Sequence, residues 1–247
     1  MGANALHQRE LTIARDKLIV ALDVPTPRDA RALVSALEDT VVFYKIGLEL
    51  AYSGGLAFAE ELIKNGKQVF LDLKLHDIPA TVSRACAQVA NSGASFLTVH
   101  AYPQTMRAAK IATVGSSLRV LGVTVLTSCD DLDLAEAGYA YGVRDLVARR
   151  ATQACEAGID GLILSAGEAS SIRASIGHKL ILVTPGIRPE GSAVADQKRS
   201  ATPAAAIKAG ADYLVVGRPI TGAGNPREAA VSISAEIAAA RSPNHVS

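Results

Sequence analysis

Residues 66–100 read GKQVFLDLKLHDIPATVSRACAQVANSGASFLTVH, one full repeat of the pattern that decides the fold. Gly66 precedes an apolar run at 68–74, a longer stretch of helical pattern follows, and Gly93 precedes the next apolar run at 96–100. A glycine just before a strand suits a helix C-terminus, where the chain turns through the left-handed region. Gly158 and Gly210 repeat the punctuation.

Outward from that unit, short β-branched or Leu-rich runs at 18–23, 41–46, 68–74, 96–100, 119–126, 161–164, 180–184 and 213–217 give eight candidate strands, separated by Ala-rich amphipathic stretches. Runs such as LIVAL at 18–22 are apolar on both faces, as parallel strands covered by helices are. The stretch 27–37 opens with Thr26 as a candidate N-cap and Pro27 at the first helical position. Eight β/α units in a chain of roughly 250 residues point to an α/β fold, a closed (β/α)8 TIM barrel in a single domain, rather than a doubly wound open sheet. The barrel is expected over 18–247, with residues 1–17 as an N-terminal arm or an extra helix across the barrel bottom. Two long connections, 127–140 and 185–199, fall on the side where barrels grip substrates.

Composition excludes several classes. Lys and Arg number 25 against 24 Asp and Glu, so the net charge of +1 gives no footprint for nucleic acid or an anionic membrane. Tryptophan is absent and aromatic residues make up 4%, which leaves no stacking platform for single strands. The three cysteines, Cys86, Cys129 and Cys155, suit neither a disulfide framework nor a CxxC metal pair, and the first apolar run is far too short to span a bilayer. A soluble, cytoplasmic protein is expected.

Polar residues at strand C-termini carry the chemistry, because a barrel aims those ends at one pocket. Asp23, Lys45, Asp72, Lys74, His100 and Ser128 lie at or just beyond such ends. Side chains alternate along a strand, so Asp72 and Lys74 share one face while Leu71 and Leu73 take the other. A D-x-K pair in a strand is often just a structural ion pair. A parallel barrel strand, however, offers only an interior face and a helix-covered face, and buried charges are costly unless paired. Lys45 on the neighbouring strand completes a mutually neutralising array. His100 reads equally well as a support for Asp72 or Lys74 and as a polar strand end without a role, and His76 is expected to be exposed. Thr221-Gly222-Ala223-Gly224-Asn225-Pro226 mimics a dinucleotide loop but lacks the third glycine, so a helix entry is expected there.

At 72–81 the sequence resembles the orotidine 5'-phosphate decarboxylase family, which catalyses the last step of de novo UMP synthesis. Asp72-x-Lys74-x-x-Asp77-Ile78-Pro79-x-Thr81 is similar to the family's central signature. It is accompanied in order by Ala21-Leu22-Asp23, Lys45-Ile46-Gly47, Leu126-Thr127-Ser128, Thr184-Pro185-Gly186-Ile187-Arg188 and Val216-Gly217-Arg218-Pro219. D-x-K-x-x-D alone is shared with sugar-phosphate decarboxylases and aldolases. The resemblance implies a homodimeric barrel using no cofactor and no metal, with Lys45, Asp72, Lys74 and Asp77 as the catalytic array. It also implies that Asp77 and Thr81 reach the partner subunit's site and that Asp23 and Lys45 touch ribose hydroxyls. Ser128 would meet the pyrimidine edge, Pro185 would border the substrate, and Gln197, Gly217 and Arg218 would hold the 5'-phosphate under a loop at 186–199.

Overall fold

The computed structural model describes residues 11–189 and 200–241. Strands β1 (Leu18–Ala21), β2 (Phe43–Ile46), β3 (Gln68–Leu75), β4 (Phe96–His100), β5 (Arg119–Val123), β6 (Gly161–Ile163), β7 (Ile181–Thr184) and β8 (Tyr213–Val216) pair in chain order, and β8 closes on β1. Every neighbouring pair is parallel. The principal helices between and after them are α1 (Pro27–Leu37), α2 (Leu56–Lys64), α3 (Pro79–Ser92), α4 (Pro103–Ala112), α5 (Val143–Ala157), α6 (Ala166–Ile176), α7 (Pro203–Lys208) and α8 (Pro226–Arg241). The expected eight-stranded barrel is therefore present.

Local chemistry sets the element ends. Thr26 accepts the Asp29 N–H at 3.2 Å and Pro27 leads α1. Gly93 and Gly158 take φ of 82° and 69° at the ends of α3 and α5, where a side chain would be strained. β5 stops at Val123, short of the expected residue 126, because its neighbour β6 ends at Ile163; the amide and hydroxyl of Thr124 both turn to the Ile163 carbonyl. The glycine-rich stretch at 221–226 is a helix entry, with Asn225 Oδ1 accepting the Glu228 N–H at 3.2 Å and Pro226 opening α8. No helix among the described residues is long and apolar enough to cross a membrane. The three cysteines are free, and burial pushes the Cys86 thiol up to about 11.

The barrel interior is layered. Ile19, Ala21, Phe43, Phe70, Phe96, Leu121, Val183 and Val215 point inward as one buried cluster. Edge-to-face contacts, Phe43 to Phe96 at 5.0 Å and Phe96 to Tyr213 at 5.1 Å, fill its lower half, each adding about 0.5–1.5 kcal/mol beyond burial. Residues 11–17 are helical, and Lys17 lies 4.2 Å over the Tyr213 ring beneath this plug. Residues 1–10 of the expected arm lie outside the described residues. Because inward positions recur every second residue, one step beyond Phe43, Phe70 and Phe96 come Lys45, Asp72 and Thr98. The aromatic floor thus positions a polar layer directly above it.

Candidate active site

Lys45, next to last on β2, has a side chain only 10% exposed, and Asp72 on β3 is 15% exposed. Lys45 Nζ donates to Asp23 Oδ1 at 2.9 Å and lies 3.6 Å from Asp72 Oδ2. Lys74 Nζ approaches the same Asp72 oxygen at 2.9 Å. Asp23, just beyond β1, is exposed at the rim. Gly47 makes room for the pair: a Cβ there would fall 3.0 Å from Asp23 Oδ1 and 3.1 Å from Lys45 Nζ.

Burial disfavours the charge on Lys45, but Asp72 and Asp23 outweigh it and hold its pKa above the ordinary lysine value. Burial likewise opposes ionisation of Asp72, yet Lys45, Lys74 and a hydrogen bond from Thr98 keep its pKa below the ordinary carboxylate value. Both groups are therefore charged at neutral pH.

Lys74 owes its direction to an irregularity in β3. Leu71 pairs with Leu97 of β4, whereas the next pair is Leu75 with Val99, so four steps on one strand match two on the other. Within that bulge Lys74 takes φ of 49°, a left-handed conformation that costs a non-glycine residue about 1–2 kcal/mol. Asp72 keeps the inward parity expected for it, and Lys74 reaches it through the bulge rather than by plain alternation. The sequence offered no signal for this departure.

These residues open into a cavity of about 480 Å³, within the range that small-molecule sites occupy. Of the sequence-predicted residues, Asp23, Lys45, Asp72, Lys74, Ser128, Pro185, Gly217 and Arg218 all line it, brought together from β2, β3 and the segments after β1, β5, β7 and β8. Phe70, Val123, Val125, Ile163 and Val215 form its apolar wall. Asp77 and Thr81 do not line it; they stand on the rim at the β3–α3 junction, where Asp77 Oδ1 accepts the Ile78 N–H at 2.6 Å. Gln197, and positions 190–199 of the expected closing loop, lie outside the described residues.

Sequence reasoning missed Thr98. Fully buried on β4, its hydroxyl donates to Asp72 Oδ1 at 2.9 Å and accepts the Lys74 backbone N–H at 2.9 Å. His100 stands out in the sequence as a polar strand end; the alternation that carries β4 inward at Phe96 reaches Thr98 one step before it. His100 itself packs edge-on against His76 at 5.7 Å, and burial, followed by His76, Arg150 and Lys74, lowers its pKa. His76 is exposed as expected, although its ring stacks on Tyr102 at 4.4 Å. Behind them Arg150, buried on α5, bonds the Thr124 carbonyl and the Tyr139 hydroxyl and stacks over Tyr102. That clamp ties the end of the 127–140 connection, which bears Ser128, to the start of α4.

The family model described as "Orotidine 5'-phosphate decarboxylase / HUMPS family" matches residues 16–233. The chain belongs to this family. Among curated members of the decarboxylase/HUMPS family, one named orotidine 5'-phosphate decarboxylase from Afipia carboxidovorans is 62% identical over 229 residues, covering 93% of this chain and 97% of the relative. A protein of the same name from Rhodopseudomonas palustris is 60% identical over 227 residues, covering 92% and 96%. In three dimensions, the crystal structure of orotidine 5'-phosphate decarboxylase from Lactobacillus acidophilus superposes with a TM-score of 0.79 at 37% identity, covering 89% of this chain and 98% of that one.

Proposed function

We propose that the charged mouth of the barrel decarboxylates orotidine 5'-phosphate to UMP and CO2, completing de novo pyrimidine synthesis. The observation that carries the reading is the Lys45–Asp72–Lys74 array, built over an aromatic floor inside a nucleotide-sized cavity in a chain about 60% identical to proteins bearing that name.

The chemistry needs such an array. Loss of CO2 from C6 of the orotate ring leaves a carbanion in the ring plane, which the π system cannot delocalise. Lys74 supplies a cation beside the developing charge and then the proton that ends on C6. Asp72, beside the substrate carboxylate, adds ground-state repulsion of about 4 kcal/mol for unit charges roughly 4 Å apart at an effective dielectric near 20. Enzymes remove about 8–23 kcal/mol of barrier, so preorganised stabilisation by the lysines and binding energy from the remote phosphate supply most of the remainder.

In this reading Asp23 and Lys45 hold ribose hydroxyls, Ser128 meets the pyrimidine edge and Pro185 borders the ring. Gly217, Arg218 and Gln197 hold the phosphate. Asp77 and Thr81, which stand outside their own subunit's cavity, serve the partner's site in a homodimer. The enzyme works in the cytoplasm without cofactor or metal, on a small molecule rather than nucleic acid or membrane.

The deciding experiment incubates purified protein with orotidine 5'-phosphate and follows the loss of orotate absorbance. Turnover that persists in EDTA is expected. No loss of signal at micromolar enzyme rejects the reading, and strong inhibition by EDTA redirects it to the sugar-phosphate branch of the family.

A further inference from the structure

We infer that Thr98 is a positioning residue for the reaction, its hydroxyl setting the relative placement of Asp72 and Lys74; the inference rests on the decarboxylase reading above. Only Thr98 of β4 lies between the two ladder pairs that bracket the β3 bulge, Leu71 with Leu97 and Leu75 with Val99. In an unbroken ladder the Lys74 N–H would face a backbone carbonyl. Here it is donated to Thr98 Oγ1 at 2.9 Å instead. The single hydroxyl hydrogen is left for Asp72 Oδ1, also at 2.9 Å.

One buried oxygen therefore bridges the backbone of one array member and the carboxylate of the other. It ties down the left-handed backbone of Lys74, whose φ is 49°, and turns Asp72 so that the second carboxylate oxygen, Oδ2, faces both Lys74 and Lys45. Thr98 does not line the cavity, so it acts through its two partners and not by touching a ligand.

The hydroxyl is separable from the side chain's volume. Thr98→Val keeps the shape and removes both hydrogen bonds, leaving two buried polar groups unmatched, whereas Thr98→Ser keeps the oxygen and loses a methyl. Steady-state kinetics on orotidine 5'-phosphate should show kcat of Thr98→Val down about 10–100-fold with KM within about 3-fold of wild type. Thr98→Ser should recover kcat to within about 5-fold. The hydrogen bond favours the ionised Asp72, so its loss should also move the acidic limb of the Thr98→Val pH profile to higher pH.

A purely structural threonine would lower thermal stability without separating the two variants in kcat. Equal turnover in wild type and Thr98→Val overturns the inference, as does equal slowing in Thr98→Val and Thr98→Ser. If Thr98→Val does not fold, Thr98→Ala against Thr98→Ser poses the same question, since that pair differs by the oxygen alone. An inactive wild type would overturn the decarboxylase reading itself, whereas an active wild type with unaffected variants overturns only the role of Thr98.

Discussion

The two ends of the barrel use the same residue types for opposite ends. At the N-terminal end, Lys110 pairs with Asp160 at 2.9 Å and Arg173 with Asp212 at 2.6 Å. Each of these carboxylates also accepts a strand amide, Asp160 from Val120 at 2.9 Å and Asp212 from Leu182 at 2.8 Å. Their charge is absorbed in holding β5 to β6 and β7 to β8. At the C-terminal end Asp72 spends neither oxygen on the backbone: Oδ1 goes to the Thr98 hydroxyl and Oδ2 is shared by two lysines. Charges that face only other side chains, beside a cavity, are available to a ligand; charges tied to strand amides are not. Position along the strand thus separates structural from chemical ion pairs better than the pairing itself does.

The sharpest way to break this comparison is Lys74→Ala. With the proposed cation and proton source gone, kcat/KM for decarboxylation should fall at least about 10³-fold, while UMP affinity measured by calorimetry changes far less. Near-normal turnover would make the upper array as structural as the lower pairs. Arg218→Ala should have a smaller effect, about 10–100-fold in kcat/KM, seen mainly in KM, if the proposed charge-assisted phosphate contact is what it supplies. Unchanged kinetic constants would remove Arg218 from the phosphate site.

A subtler test is the pH dependence of stability. The depressed pKa of Asp72 gives a contribution that is complete above the unfolded value of about 4 and is lost as pH falls through the folded value. The raised pKa of Lys45 gives one that is complete below about 10.4 and is lost as pH rises through its folded value. Denaturant melts of wild type should therefore show no contribution from Asp72 or Lys45 to the slope of stability between about pH 5 and 9. Lys45→Met should weaken the acid-side loss.

Much of this architecture was legible because it follows from short-range chemistry. Thr26-Pro27 announced α1, and glycines 66, 93, 158 and 210 all take positive φ. Strand-end polar residues from distant segments converged on one cavity because strand polarity and period-two alternation fix where such ends point. The β3 bulge was not legible, since a register shift depends on β4 and leaves no mark of its own in Asp72-Leu73-Lys74. Thr98 was hidden for a related reason: a threonine in a parallel strand is ordinary, and only its position opposite the bulge gives the hydroxyl two partners. The Arg150 clamp on Tyr102 and Tyr139 joins residues far apart in the chain, so no local pattern could disclose it.

The smallest expected effect on turnover, and the complement to Lys74→Ala, comes from Arg173→Ala at the opposite end of the barrel. Its guanidinium is largely buried, and besides Asp212 it donates to the carbonyls of Gly177 at 2.8 Å, Leu180 at 3.1 Å and Gly210 at 2.8 Å. Removing it leaves Asp212 with the Leu182 amide but no cation, and orphans carbonyls at the turns before β7 and β8. A loss of about 2 kcal/mol follows, or roughly 4–8 °C in Tm for a domain of this size. The inner layer of Phe43, Phe96 and Tyr213 separates this pair from the array, so kcat should stay within about 2-fold of wild type at temperatures where both proteins are folded. A large fall in kcat with little change in Tm would mean that the two ends are coupled through the aromatic layer, and the division between structural and chemical charges would no longer hold.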